Sequence, residues 1–241
     1  MDIEETKKFC NKIEGFMLDK EGELLFNLAK NCKGKGAIVE IGSWKGKSTI
    51  WLANGSKNGN NVKIYAIDHH IGSSEHKIYG TKIQTFQQFK QNIKKAKVED
   101  IVFPIVKTSK EASENFSEDI EFIFIDGAHE YEYVKLDFDL WFPKVLDDGI
   151  MAFHDTLGWI GPKKFVKNYI YKSKYFKNVR FVGSITFAKK VRINTFIDRI
   201  ENRKVLLVKD LYEFLVKLKL PKIIRKLLKS IFKKIHYSEK G

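Results

Sequence analysis

The stretch EIGSWKGKST, Glu40 to Thr49, decides how the chain is read. It has the outline of a phosphate-binding loop, a glycine followed by Gly46-Lys47-Ser48. That loop needs four residues between its first glycine and the Gly-Lys-Ser, and only three separate Gly42 from Gly46. The shorter turn cannot wrap its amides around a phosphate before the lysine reaches in. Glu40 also sets a carboxylate at the mouth of a site meant for anions, and a second acid, Asp68, closes the next apolar run, VKIYAID. Two carboxylates at the ends of successive strands, beside a glycine turn, suit a ligand that carries hydroxyls and positive charge.

Outward from this turn, short apolar runs alternate with segments of helical spacing. AIVEIG leads into the turn, STIWLAN opens a helix expected to end at the breaker cluster NGSKNGNN, and VKIYAID is the second strand. A polar connection from His69 to about Ile83 is followed by a helix through FQQFKQNIKKAK, a strand IVFPIV, a short helix KEASENF and a strand IEFIFID. The last is apolar on both faces, as a buried parallel strand is. Helical spacing from Tyr131 to Val145 precedes a fifth strand, GIMAFHD. A helix near Pro162 to Lys172 follows, and VRFVGSITFAKK reads as two strands meeting at Gly183-Ser184. This order predicts an α/β fold, a Rossmann-like, doubly wound, seven-stranded and mostly parallel sheet with an antiparallel C-terminal hairpin strand at its edge. Ligands of such sheets sit at the carboxyl ends of the strands, near the switch point beside the first strand. Glu40, Gly42, Asp68, Asp126 and Asp155 all lie at such ends.

The 241 residues suit one α/β domain, residues 1–190, with an appended extension, residues 191–241. No uninterrupted apolar run reaches about 18 residues, and the N-terminus MDIEETKKFCNK is charged, unlike a signal peptide, so a cytoplasmic chain is expected. Cys10 and Cys32 form no CxxC pair and are too few for a disulfide framework; reduced thiols on or under a helix are expected. The net charge of +14 is uneven. From Lys190 to Gly241 there are fifteen Lys or Arg against five Asp or Glu, so most of the excess is a basic tail on a nearly balanced domain. A nucleic-acid binder would carry basic and aromatic residues interleaved on a sheet face, and these strands are simply apolar.

Five motifs in order, VEIGSWKGKST, the strand ending at Asp68, KTSKEA, FIFIDGAHEY and DDGIMAFHDT, resemble the class I S-adenosylmethionine-dependent methyltransferases. The similarity is to the small O-methyltransferases of the catechol type and of the sugar and macrolide-glycoside type, and it covers roughly Gly22 to Lys190. It implies S-adenosylmethionine as cofactor and methyl transfer to a hydroxyl of a sugar, glycan or other small acceptor. Gly42 and Gly46 would let the backbone pass close to the cofactor's methionine end, Ser43 and Ser48 would offer hydroxyls or amides to its carboxylate, Glu40 would face its ammonium, and Trp44 and Asp126 would also belong to the cofactor site. Asp68 would bind both ribose hydroxyls, and Ser109 would lie at the adenine edge. Ser43 and Ser48 could equally cap a helix.

The same resemblance implies the chemistry. Asp126 matches the first ligand of a divalent metal (Mg or Mn) that binds the acceptor hydroxyl, and Asp155 matches the last. His154 stands where a carboxylate is more usual; imidazole suits softer cations than magnesium, which leaves manganese, another transition ion, or no metal. His129, three residues after Asp126, falls where the general base is expected. His69 and His70 are expected to shape the acceptor entrance, and Asp137 and Asp139 in KLDFDLW to lie on a solvated helix face. The rival reading is a phosphate-loop-like nucleotide-binding phosphohydrolase, with FIFID as the strand and acid that hold magnesium; it leaves Glu40 and Asp68 without a use.

In the tail, LPKIIRKLLKSIFKKIH puts Leu220, Ile223, Ile224, Leu227, Leu228, Ile231 and Ile235 on one helical face with Lys and Arg on the other. Such a helix fits an anionic membrane surface, giving a peripheral protein at the inner face of the membrane. It equally fits packing on the domain or on a second subunit of a homo-oligomer.

Overall fold

A computed structural model of the chain describes residues 1–72 and 83–217. Seven strands form one sheet: β1 (Ala37–Ile41), β2 (Ile64–Ile67), β3 (Val102–Ile105), β4 (Ile120–Ile125), β5 (Val145–Phe153), β6 (Phe176–Val182) and β7 (Ile185–Lys190), in the spatial order β3-β2-β1-β4-β5-β7-β6. The first five are parallel to one another, and β7 is antiparallel to both β5 and β6. The doubly wound sheet expected from the sequence is therefore present. The antiparallel strand lies one place in from the edge, because the tight hairpin folds β7 back between β5 and β6. Pro104 pairs with Ala66 at the opposite edge, where β3 needs no second partner and a missing N–H costs nothing.

Period-two alternation buries both faces of the central strands. Ile38, Phe122, Phe124 and Ala152 join one core with Leu25, Phe26, Ile50 and Trp51, while Val39, Ile41, Ile123, Ile125 and Phe153 join another with Trp141, Phe165 and Tyr171. The first core lies under α1 (Ile3–Cys10), α2 (Asp19–Lys30), α3 (Lys47–Lys57) and α4 (Phe86–Lys95). The second lies under α5 (Ser109–Glu114), α6 (Tyr131–Trp141), α7 (Ile160–Val166) and α8 (Phe196–Lys217). Cys10 and Cys32 are buried free thiols, as expected.

One local reading changes. Helix α3 does not stop at Asn54 but runs through Gly55 and Ser56 to Lys57. A side-chain carbon on Gly55 would strike the Phe26 carbonyl, so the glycine that looked like a breaker lets α2 and α3 pack closely. The C-terminal segment opens with a helix that packs on the sheet. In α8, Asn202, Leu206 and Lys209 are buried, and Asn202 bonds Val179 N–H (3.2 Å) and the Phe176 carbonyl (2.8 Å) of β6. The basic stripe from Leu220 to Ile235 lies outside the described residues, as does the part of the His69–Ile83 connection from 73 to 82. Among the described residues no helix is long and apolar enough to cross a membrane.

Candidate active site

The strand ends are brought into line by the ladder itself. The first residue past each strand donates its N–H to the last carbonyl of the neighbour: Asp68 to Ile105 (3.2 Å), Gly42 to Ile67 (2.8 Å), Asp126 to Ile41 (2.8 Å) and His154 to Ile125 (3.0 Å). Parallel pairing thus sets four chemically chosen residues on one rim, across the switch point between β1 and β4. A cleft of about 570 Å³ opens there, lined among others by Gly42, Ser43, Trp44, Ser48, Asp68, Ser109, Asp126, His129, His154 and Asp155.

Gly42 has a left-handed backbone (φ 89°), and a side-chain carbon on it would collide with the Asp126 carbonyl, so only glycine lets β1 end beside β4. Gly46 is the N-cap of α3 and lies outside the cleft lining, as does Glu40. Glu40 is fully buried one layer below the turn, where the Thr49 hydroxyl donates to its Oε2. Burial, with Asp126 and Asp68 nearby, pushes its carboxyl up to about 8 against the opposing hydroxyls of Ser48 and Thr49. Its Oε1 and the buried Ser43 Oγ have no hydrogen-bond partner among the described residues. A ligand end carrying both an ammonium and a carboxylate would supply what this turn lacks.

Both oxygens of Asp68 are held by backbone: Trp44 N–H donates to Oδ2 (2.7 Å) and His70 N–H to Oδ1 (2.6 Å). Trp44 (φ 46°) and His70 (φ 59°) are in the left-handed region, which bulky residues avoid; so is Asp155 (φ 54°). Strain therefore gathers on this rim. His69 lines the cleft, but His70 turns inward, bonding Thr85 Oγ1 (2.8 Å) and packing against Phe86 and Phe89, so only His69 is at the entrance.

Across the cleft, four side chains form a connected cluster. His154 Nδ1 lies 2.9 Å from Asp126 Oδ1 and 3.3 Å from Asp155 Oδ2, and His129 Nε2 lies 2.9 Å from Asp155 Oδ2 while its ring stacks on Trp159. Burial alone would lower the His154 imidazole, but Asp126, Asp155 and Glu21 outweigh it and hold it well above its ordinary value. Burial would raise Asp155, yet His129 and His154 outweigh that and hold its carboxyl well below the usual range. The cluster favours positive charge between its acids, a proton on His154 or a divalent cation. Asp126, His154 and Asp155 each present a ligand atom, all within 4.8 Å of one another, so the donor set fits a cation of the borderline class.

Two acids escaped the sequence reading. Glu21 of α2 is buried against His154 and has no local signal for that role. Asp137 is not on a solvated face: it is buried, lines the cleft, and burial pushes it up to about 6 despite a hydrogen bond with Ser109. The spacing could have revealed it, three residues after Val134 and four before Trp141 on the buried stripe of α6. Trp141 Nε1 donates to Ser109 Oγ (2.9 Å), so the Ser109 hydroxyl is already engaged on both sides. Asp139 is exposed and pairs with Lys135, as expected.

Residues 39–156 match a methyltransferase-domain family. That stretch is a methyltransferase domain. The resemblance read from the sequence is thereby borne out, and the phosphohydrolase reading finds no support. Lys47 Nζ, which that reading needs at a phosphate, bonds instead to the Gly15 carbonyl (3.3 Å). An uncharacterised protein of Acanthamoeba polyphaga mimivirus is 29% identical over 133 residues, 55% of this chain and 57% of that protein. The chain thus spans little more than half of that relative, and 13% of another from Sinorhizobium fredii. In fold, the methyltransferase is similar to the O-methyltransferase NovP (TM-score 0.60, 16% identity, 71% of this chain and 79% of that one). It is similar too to the O-methyltransferase TomG of Streptomyces achromogenes, solved with S-adenosylmethionine (TM-score 0.56, 15% identity, 78% and 89%).

Proposed function

We propose that this methyltransferase transfers a methyl group from S-adenosylmethionine to a hydroxyl oxygen of a small acceptor, with a sugar or glycan as the acceptor class. The observation that carries the reading is one cleft with two unlike walls: a glycine turn with Asp68 pinned by two amides, and facing it the Asp126–His154–Asp155–His129 cluster. Bound S-adenosylmethionine supplies a methyl group activated by its sulfonium. Asp68, with both oxygens fixed by backbone N–H groups, is the acceptor for the ribose hydroxyls, and the Ser43 turn over Glu40 takes the amino-acid end. Ser109, backed by Asp137 and Trp141, borders the adenine.

The chain's own catalytic work is to orient the acceptor hydroxyl and take its proton. His129 is suited to this because Asp155 holds its ring and would stabilise the imidazolium that forms. Asp126, His154 and Asp155 would hold a divalent cation that lowers the hydroxyl's pKa. The basic helix from Leu220 to Ile235 is proposed to rest on an anionic membrane, which would bring the enzyme to a membrane-borne glycan; packing on a second copy is the other use of that face.

Calorimetry tests the core of this reading. Micromolar binding of S-adenosylhomocysteine with none of ATP is expected, and ATP binding without a response to S-adenosylhomocysteine would overturn it. Mass spectrometry of a panel of sugars and phenols, incubated with enzyme and S-adenosylmethionine, identifies the methylated class.

A further inference from the structure

Helix α8 is apolar on both sides, and only one of them is covered. It runs along β6 from Phe176, whose carbonyl holds Asn202, to Phe181, whose ring meets that of Tyr212 at 6.2 Å. Asn202, Leu206 and Lys209 fill the side towards the sheet. With about 3.6 residues per turn, Phe196, Ile197, Ile200, Leu207, Leu211 and Phe214 fall on the opposite side. All six are exposed, Phe196 by 71%, Leu207 by 69% and Phe214 by 60%. An apolar band of that length on the outside of a domain marks a contact surface. It ends at the candidate active site, since Lys209 bonds Thr156 (2.9 Å), next to Asp155. Lys167 and Lys163 of α7 pair with Asp210 (3.2 Å) and Glu213 in turn, so Ile160, one turn before Lys163 and 84% exposed, stands level with the end of α8. Trp159, the cap of α7, stacks on His129.

A second copy, the following residues of the chain or a lipid surface could cover such a face, and charge decides among them. The exposed charged side chains of α8 among the described residues are Arg199, Arg203 and Lys204 against Glu201. Arg203 and Lys204 lie between Ile200 and Leu207, at the middle of the stripe. A second copy packed there about a two-fold axis would press these cations against their own counterparts. From Leu218 to Gly241 the chain carries eight Lys or Arg against one acid, so folding that segment back over the stripe would set cation on cation as well. A layer of anionic headgroups pairs with all of them, with the long Arg and Lys stems lying along the apolar band. We propose that the outer face of α8, with Ile160 beside its end, docks on an anionic lipid membrane and sets the His129 wall of the cleft against it. The acceptor this favours is a hydroxyl held at headgroup level on a lipid-borne molecule. The inference rests on the membrane part of the reading above: the basic tail supplies the long-range attraction, and α8, with three exposed cations against one acid, supplies the orientation.

The test needs no acceptor. Cys10 and Cys32 are buried, so full-length protein takes a thiol-reactive label at one added cysteine. Leu207→Cys and, on α4 across the sheet, Lys94→Cys are labelled with an environment-sensitive fluorophore and mixed with vesicles of phosphatidylglycerol and phosphatidylcholine. The label at position 207 should shift to the blue and be quenched by lipids spin-labelled on the acyl chain, and the label at position 94 should do neither. Leu211→Glu combined with Phe214→Glu should lower the vesicle partition coefficient about tenfold or more, with S-adenosylhomocysteine affinity unchanged as the check on folding. A doubly substituted protein within about twofold of wild type overturns the inference. So does a label at position 207 that stays in water on vesicles that do bind the protein, which leaves the tail as the lipid contact. A blue shift without vesicles overturns it too, by assigning the face to a second copy if the shift grows with protein concentration and to the tail if it does not. Protein that binds S-adenosylhomocysteine but no vesicles removes the membrane reading along with this inference and leaves the methyltransferase reading intact.

Discussion

Lys209 Nζ, in the middle of α8, donates to Thr156 Oγ1 and Thr186 Oγ1, each at 2.9 Å. Thr156 follows Asp155 directly, and its N–H and hydroxyl both donate to the Ser184 carbonyl (2.9 and 2.7 Å). Ser184 in turn holds Glu21. A residue from the basic C-terminal segment is thus built into the support of the site, two contacts behind the His154 cluster.

Burial pushes the Lys209 ammonium down to about 7, from an ordinary 10.5. Between those values the unfolded chain binds one more proton than the folded one, so this group makes stability rise with pH across that window. Below about pH 7 its penalty is complete and constant. The slope is on the order of 1 kcal/mol per pH unit. Lys209→Met should therefore be more stable than wild type at neutral pH, with the gap closing towards pH 10. Urea denaturation of both proteins checks this; a gap that does not change with pH contradicts it.

Replacing His129 by Ala removes the proton acceptor but touches neither Asp68 nor the Ser43 turn. Turnover should fall about a hundredfold or more, with S-adenosylhomocysteine affinity nearly unchanged. Single-turnover kinetics and calorimetry on the same protein separate the two quantities. A loss of cofactor affinity equal to the loss of turnover would assign His129 to binding.

Asp68→Ala leaves the Trp44 and His70 amides without their acceptor and removes the carboxylate proposed for the ribose. Hydrogen bonds to a charged group contribute about 1.5–3 kcal/mol each, so S-adenosylhomocysteine affinity should fall at least about tenfold. Adenine alone, which lacks the ribose, should bind wild type and variant alike. Unchanged S-adenosylhomocysteine affinity would remove Asp68 from the site.

The membrane reading is tested by cutting the chain after residue 217, not earlier, because Lys209 is part of the core. Full-length protein should co-sediment with anionic vesicles and be released by high salt, while the cut form stays in solution and still binds S-adenosylhomocysteine. Equal sedimentation of both forms would leave that helix to protein packing.

The rim of the site was legible because its elements are local. An apolar run ended by an acid, with glycine next to it, is visible within ten residues, and parallel pairing turns such endings into one row without further instruction. Asp137 lies on a readable stripe although its charge points to solvent, and its environment decides the matter: the Ser109 hydroxyl and the loop after β4 close over it. The end of α3 is not legible locally, because Gly55 has the composition of a breaker while its contact is with Phe26 on another helix.

From the sequence alone followed the alternating α/β order, the glycine turn one residue too short for a phosphate loop, the acids at the strand ends and His129 near Asp126. Each depends on periodicity, turn chemistry or spacing along the chain. Tertiary structure alone decided that β7 folds inside β6, that His70 turns inward while His69 lines the cleft, and that Glu21 and Lys209 are buried. Those outcomes depend on partners far away in sequence; 163 positions separate Glu21 from Ser184. A side chain's charge and hydrogen bonds are set by what packs over it, and that is fixed only when the sheet brings the distant elements together.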